Sequence, residues 1–592
     1  MDTRQLLVST TSGPVVGFTD THPVQQRSTA SLRQPGGRTP VHKWLGIPYA
    51  QARRFQRPTD PEPWQSPRDC FEFGTMFPQP EGMTEKLLSK LPGFIMRSHI
   101  KTSEDSHFVN VFVPGDLQPD EKLPVMVFIY GGALNTGSSD RFFYDPTSLV
   151  RSQSGPAERC IIVTGNYRVN IFGFCASDDL SNEDADGLSG NYGLYDAMKI
   201  FEWVQANVSS FGGDPDQVTA FGQSAGAFLI SYLLVSGKRL FHRAILQSGA
   251  QKTMGMRPAS RSYPALASIL SSLSSANDAA SSSTTTTALL RSASTASLLA
   301  LHASHHSLES VSLTIEPASS SSSASIWTPA TIARLAQGDV DPWVESVVLG
   351  TTEDEGTVFA YGAGLADPDK FAAWTARFSR ETRGRVEDKY LRLAGGGGGQ
   401  EHPASGTCAL VDLPGSKLLA DQIFVNPVWD LAKAIATAGD RTTLGGGDVK
   451  ADATATTRTK VWLYRLRTGV SSILANSPFG IMHSMDLPLI FNCSSLWNED
   501  GLSPDGRSAR AISSRWLRYG VTGQPDDEWK PFDPSGDAAS SPPSWLVFGP
   551  VGEVENESLV GFERDKLDLV FEANAADAKG QEEQGDEVLG ID

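Results

Sequence analysis

Clustered positive charge is missing from this 592-residue chain, in which 50 Lys and Arg face 68 Asp and Glu for a net charge of −18. Nucleic-acid binding needs grouped Lys and Arg to neutralise phosphates, so that class of function is set aside. Long apolar runs are missing too: no stretch holds the ~18 uninterrupted apolar residues of a membrane-crossing helix. The opening stretch MDTRQLLVSTTSGPVVG has neither a basic start with an apolar run nor a small-residue cleavage site, and does not read as a signal peptide. A soluble, cytoplasmic protein is the expectation. Cysteine is scarce. The five present (Cys70, Cys160, Cys175, Cys408 and Cys493) are odd in number, scattered and free of CxxC spacing. Reduced thiols fit that pattern better than a disulfide framework or a zinc site. Asn-x-Ser sequons at Asn207, Asn492 and Asn556 point the other way, but such triplets arise often by chance.

Three stretches, near 271–325, 395–407 and 439–459, are rich in Ser, Thr, Ala or Gly. With few apolar side chains to offset chain ordering, they read as flexible surface inserts. The tail 572–592 carries seven acidic residues and only Lys579 as a base, and reads as a solvated, disordered end. Residues 1–571 then form one large α/β domain interrupted by the inserts. Within it, Leu123 to Tyr130, Cys160 to Tyr167, Val218 to Gly222, Arg243 to Gly249 and Ser346 to Thr352 are strand-like, while Leu194 to Val208 places Ala197, Ile200, Phe201 and Val204 on one helical face. Apolar strands alternating with amphipathic helices predict a mostly parallel sheet covered on both faces, with its sites at the carboxyl ends of its strands.

One such strand end reads VTAFGQSAGAFLI, a Gly-x-Ser-x-Gly pattern made by Gly222, Ser224 and Gly226. A strand that turns sharply into a helix leaves no room for a β-carbon at the flanking positions, and it holds the serine exposed where helix N-terminal amides favour negative charge. A serine hydroxyl needs a histidine base, itself oriented by a carboxylate, and on this kind of sheet the chain order is serine, acid, histidine. Of the histidines after Ser224, His302, His305, His306 and His402 fall in or beside low-complexity sequence, and His242 lies too close to leave room for an acid. His483, in FGIMHSMDLPLIFN, is left. The acid is expected after the strand of SVVLGTTEDEGTVF, where spacing does not choose among Glu353, Asp354 and Glu355. The turn in VFIYGGALNTG offers Gly131, Gly132 and Ala133, small residues whose amides can face an oxyanion. The HASHH cluster at His302 to His306 lacks an acidic partner at a defined spacing, so no metal is expected there.

These motifs, together with WLGIPYAQARRFQRPTDPEPW, SEDSHFVNVFVP, VTGNYRVNIFGF and GNYGLYDAMKIFEWVQANV, resemble the type B carboxylesterase and lipase family of α/β-hydrolases, from about Gly13 to about Phe548. The resemblance implies an α/β-hydrolase fold and a serine carboxylic ester hydrolase acting through an acyl-enzyme on small to medium esters. It implies Glu355 as the acid and His483 as the base, Gly132, Ala133 and Ala225 as oxyanion amides, and no metal or organic cofactor. The family usually has Glu where Gln223 stands and a third glycine where Ala133 stands. Its N-terminal disulfide would join the positions of Phe77 and Ser106, and its absence leaves the loop Pro78 to Ser103 as a candidate flap. No Trp occurs between Trp64 and Trp203, so a cation-π site for choline esters is not expected. A lipase or acyltransferase on the same triad, and a non-catalytic scaffold, are the rival readings. The oligomeric state is not legible.

Overall fold

The computed structural model describes residues 6–21, 40–80, 101–261, 263, 266–276, 285–304, 311–318, 325–391, 410–438, 458–475, 477–497, 503–535 and 543–559, with 562, 566, 567 and 569 beyond. Fifteen strands occur in them: β1 Leu6–Ser9, β2 Pro14–Asp20, β3 Val41–Pro48, β4 Arg68–Asp69, β5 Phe108–Pro114, β6 Leu123–Ile129, β7 Ile161–Gly165, β8 Gly213–Gln223, β9 Arg243–Gln247, β10 Met256–Pro258, β11 Leu313–Ile315, β12 Ser346–Thr352, β13 Lys460–Leu466, β14 Ser544–Phe548 and β15 Val554–Ser558. The main sheet runs β1-β2-β3-β5-β7-β6-β8-β9-β12-β13-β14-β15, with β4 beside β2 and with β10 and β11 paired separately. From β7 to β14 all neighbours are parallel, and the strands at either end are antiparallel. The expected mostly parallel sheet is therefore present.

Every residue of β6, β7, β9 and β12 is buried, as two-sided cover of a parallel sheet requires. The cover can be read from β8. Thr219 donates its hydroxyl to the Gly520 carbonyl of helix Pro504–Thr522, whereas a β-carbon on Gly222 would meet Ile230 of helix Ala225–Leu233. Positions 219 and 222 point to opposite faces of a strand, so these two helices lie on opposite sides of the sheet. In helix Tyr192–Asn207 the predicted face of Ala197, Ile200, Phe201 and Val204 is fully buried. Chain order reverses at β6, which lies between β7 and β8, and that reversal opens a crevice at the strands' carboxyl ends.

The stretch 271–325 departs from the flexible insert expected of it. Its described parts include the end of helix Leu266–Ala276, the helices Thr286–Ser292 and Thr295–Ser304, and β11. Leu290, Leu298 and Leu313 are fully buried, so a few well-spaced leucines pack despite the Ser- and Thr-rich composition. The insert 395–407, most of 439–459, most of the 78–103 loop and the tail 572–592 lie outside the described residues. Where the family disulfide would sit, Ser106 shares a hydrogen bond with Thr75 (2.7 Å), and the Phe77 ring meets His107 edge-on at 4.9 Å. Asn207 is buried and accepts from the Thr11 amide, so this sequon is engaged in packing.

Asp196, on the helix Tyr192–Asn207, is a fully buried ionic junction. It accepts from Arg168 Nε at 2.7 Å, Arg168 Nη2 at 2.8 Å, the Arg168 amide at 3.0 Å and His107 Nε2 at 3.2 Å. Burial by itself would raise this carboxyl, but Arg168 and His107 outweigh it and hold the group well below the usual carboxylate range. Removing one partner of such a pair strands the other charge. Asp196→Ala is expected to destabilise the fold by about 3–5 kcal/mol, read as a lowered urea midpoint. A midpoint equal to wild type would mean that the junction does not support the fold.

Candidate active site

β8 ends at Gln223, and Ser224 stands between it and helix Ala225–Leu233 with φ 57° and ψ −125°. That conformation is costly for an L-residue and is held by its surroundings. The Ser224 amide donates to the Gln247 carbonyl of β9 at 2.7 Å, and the Ser224 carbonyl accepts from Phe228 at 2.9 Å. A β-carbon on Gly226 would lie 2.0 Å from the Ile129 carbonyl oxygen at the end of β6, and one on Gly222 would lie 2.8 Å from the same atom. Both glycines are there because two parallel strands and a helix converge within one turn. Ala225 opens the helix, so its amide has no acceptor one turn earlier.

Of the three acids left open by spacing, Glu355 alone reaches His483, whose Nδ1 lies 2.5 Å from Glu355 Oε2. Glu355 is completely buried, and its other oxygen accepts from Ser248 Oγ at 2.5 Å and from the Thr352 amide at 2.7 Å. Glu353 instead pairs with Arg465 at 2.5 Å and Arg467 at 3.0 Å. Asp354 accepts from the Ile481 amide at 2.8 Å and so fastens the chain two residues before the histidine. Phe424 lies tilted against the His483 ring at 4.4 Å, and Phe359 meets it edge-on at 5.1 Å. Phe424 belongs to a π-helical turn, Asp421–Val425, a distortion common at functional sites.

The other nitrogen of His483 holds a surprise. With Nδ1 against a carboxylate, the proton sits on Nδ1 and Nε2 is the acceptor. Its donor is the carboxamide of Gln223, at 3.1 Å. Among the described residues no hydrogen bond joins Ser224 Oγ to the imidazole, although Ser224 is the next residue along the chain; such catalytic contacts often tighten only once substrate is bound. The turn expected to receive an oxyanion follows β6. A β-carbon on Gly131 would lie 2.7 Å from Ser224 Cβ, so the turn sits directly beside Ser224. Gly132 and Ala133 follow with φ 120° and 53°, and among the described residues nothing accepts a hydrogen bond from either amide. A β-carbon on Gly132 would lie 2.1 Å from the Thr136 carbonyl oxygen, so that position requires glycine.

Sequence reasoning missed Ser248, Gln247 and Asp486, because their role depends on contacts across the sheet. Asp486 lies three residues after His483, a spacing that puts both near one helix start, and that is the only sequence signal it carries. Its carboxyl is buried, accepts from Gln247 Nε2 at 2.7 Å, and leaves Oδ1 without a partner. Burial pushes it up to about 6, opposed by the Gln247 hydrogen bond and reinforced by the charge of Glu355. Among the discounted histidines, His242 meets the Val218 amide and Arg239 away from the serine, and His302 is engaged by the Tyr263 hydroxyl. His305, His306 and His402 lie outside the described residues.

A family model described as the carboxylesterase family matches residues 8–550. The para-nitrobenzyl esterase of Bacillus subtilis (strain 168) is 39% identical over 236 residues, 39% of this chain and 44% of that protein. The fumonisin B1 esterase of Sphingopyxis macrogoltabida is 38% identical over 248 residues, 41% of this chain and 43% of that protein. The chain thus spans less than half the length of these curated relatives in the matched segments. A solved PNB esterase structure superposes with TM-score 0.67 at 24% identity, covering 95% of this chain and 99% of the other. A thermophilic PNB esterase superposes with TM-score 0.66 at 25% identity over 94% and 99%. The fold of these proteins is the one described above.

Two outcomes follow from this geometry. Gln223→Glu places a carboxylate on Nε2 while Glu355 stays on Nδ1, which favours the imidazolium. A base that is protonated more easily becomes active only at higher pH, so the acid limb of kcat/KM for ester hydrolysis should move up by about 1 unit or more. A limb that stays in place would mean that the carboxamide does not rest on Nε2 in solution. For Asp486, the folded value of about 6 exceeds the ordinary unfolded value. The fold therefore favours the protonated carboxyl, a contribution present below ~4 and lost as pH rises through ~6. Asp486→Asn mimics the neutral carboxyl, so its stability relative to wild type should rise between pH 5 and pH 8 by about 1–1.5 kcal/mol. Urea midpoints at the two pH values test this, and a pH-independent difference would contradict it.

Proposed function

Because the chain belongs to the carboxylesterase family, we propose that it is a serine carboxylic ester hydrolase working through an acyl-enzyme. The observation that carries the reading is the 2.5 Å Glu355–His483 hydrogen bond beside a strained serine at a strand-to-helix turn. Substrate entry shifts the Gln223 carboxamide off Nε2, which then takes the Ser224 proton as Oγ attacks the ester carbonyl. Glu355 stabilises the imidazolium, held in turn by Ser248 and the Thr352 amide. The amides of Gly132, Ala133 and Ala225 receive the oxyanion, a term worth ~2.7–4 kcal/mol for each donor. His483 passes its proton to the departing alcohol, then removes one from water as that water attacks the acyl-enzyme, and returns it to Ser224 Oγ as the C–O bond breaks and the acid leaves. These residues complete the cycle without an added cofactor.

Small to medium esters are the proposed substrates. The relatives' names support this range, one being a para-nitrobenzyl esterase and another a fumonisin B1 esterase. Phe359 and Phe424 flank the imidazole that protonates the leaving group, which favours an apolar alcohol portion. A reducing, cytoplasmic setting is part of the proposal: Cys70, Cys160, Cys175 and Cys493 are free and buried, and burial pushes the Cys70 and Cys175 thiols up to about 12.

The test is hydrolysis of p-nitrophenyl esters, from acetyl to long-chain acyl, by wild type and Ser224→Ala. Turnover should peak on short to medium chains and fall by about 10⁴- to 10⁶-fold in kcat in the variant. A rate jump above substrate solubility would replace esterase by lipase, and ester formation with added alcohol would favour an acyltransferase. Absence of both turnover and a burst would put the scaffold reading first.

A further inference from the structure

The oxyanion turn is strained beyond what its glycines explain. Ala133 and Leu134, with φ 53° and 59°, are consecutive L-residues in the left-handed region. The left-handed region is unfavourable for residues with a β-carbon, so the turn persists only if it is held from outside. Within the turn, the amides of Asn135 and Thr136 both donate to the Gly132 carbonyl, at 2.9 and 3.1 Å. Its entrance is fixed by β6, where Ile129 pairs with Gly222.

Its exit at Gly137 is held by a side chain. Gln79 Oε1 accepts from the Gly137 amide at 2.6 Å, and Gln79 Nε2 donates to the Gly137 carbonyl at 2.8 Å. One carboxamide thereby satisfies both backbone groups of one residue, as a strand neighbour would. The same Nε2 also donates to the Phe77 carbonyl at 3.0 Å, which fixes the orientation of the amide. Gly137 itself has φ 131°, and a β-carbon on it would lie 2.3 Å from the Tyr130 ring, so the clamped position cannot readily change residue. Asn170 adds a second carboxamide: its backbone amide donates to the Leu134 carbonyl at 2.6 Å, while Nδ2 bridges the carbonyls of Pro78 (2.9 Å) and Asn135 (3.2 Å). The segment carrying Gln79 is therefore stitched to the turn in two places.

We propose that Gln79 is a positioning residue for the oxyanion hole: its paired hydrogen bonds to Gly137 hold the strained turn in the conformation that aims the Gly132 and Ala133 amides beside Ser224. This inference rests on the esterase reading above. Gln79 touches neither nucleophile nor base and acts through the backbone. Without the clamp the turn relaxes towards ordinary dihedral angles, and the two amides rotate away from the developing charge. Ground-state binding does not use that alignment, but the tetrahedral intermediate does.

The experiment compares wild type with Gln79→Met, which keeps the length and removes both hydrogen bonds, and with Gln79→Glu, which keeps the acceptor for the Gly137 amide and removes the donor. For both variants kcat on a p-nitrophenyl ester should fall about 10- to 100-fold, as small misplacements of catalytic groups do, with KM within about twofold. Affinity for a trifluoromethyl ketone, which adds to the serine and leaves an oxyanion in the hole, should fall by the same factor as kcat/KM, while the unfolding midpoint stays at the wild-type value. Wild-type kcat and inhibitor affinity in a folded variant would overturn the proposal, as would a rise in KM at unchanged kcat. If Gln79→Met does not fold, Gln79→Glu decides alone. A wild type that hydrolyses no ester would fail the esterase reading itself, an outcome separate from a failed clamp.

Discussion

The backbone of Gly226 approaches the Ile129 carbonyl so closely that one added methyl carbon would sit 2.0 Å from its oxygen, and the rest of the site is arranged around that contact. It brings the end of β6 against the turn after β8, at the point where strand order reverses. The approach forces Ser224 into a strained conformation, puts the Ala225 amide at the head of a helix, and sets the turn after β6 beside Ser224. The neighbouring strands extend the same row. Gln247 of β9 pairs with both Gln223 of β8 and Gly350 of β12, so the acid arrives one strand beyond the serine's neighbour. The geometry of the proposed site follows from sheet register.

Electrostatics then sort groups of similar chemistry into different roles. Glu353 is held by two arginines at the rim, Asp354 fastens a backbone, and Glu355 is taken fully out of water, where Ser248, the Thr352 amide and His483 are its partners. Asp486, also fully buried, has one hydrogen-bond donor on one oxygen and none on the other, and burial favours its neutral form. Two carboxylates beside one imidazole in so dry a site concentrate negative charge, and the raised Asp486 carboxyl lessens it as pH falls through about 6. The glutamine in place of the family's usual glutamate at 223 acts in the same direction. It presents a donor to the base without adding a third acid.

Much of this was legible from local pattern. The strand-turn-helix around Ser224 could be read because a Gly-x-Ser-x-Gly stretch between apolar strand and apolar helix has few other uses, and the parallel sheet could be read because strands covered on both faces become continuously apolar. The stretch 271–325 misled because its average composition is polar, while burial is decided by a few residues such as Leu290, Leu298 and Leu313. Composition averages hide spacing.

The sequence by itself determined the expected order of serine, acid and histidine, the serine with its flanking glycines as the candidate nucleophile, and a short list of acids from which a family resemblance chose Glu355. Tertiary structure decided which side chains touch. Glu355 and His483 lie 128 residues apart, Gln223 and His483 260 apart, and Gln79 and Gly137 58 apart. Such pairs leave no periodic trace along the chain, since their separation is set by how many strands and helices intervene. Hydrogen bonds act over about 3 Å, and only the packed sheet brings these residues within that range.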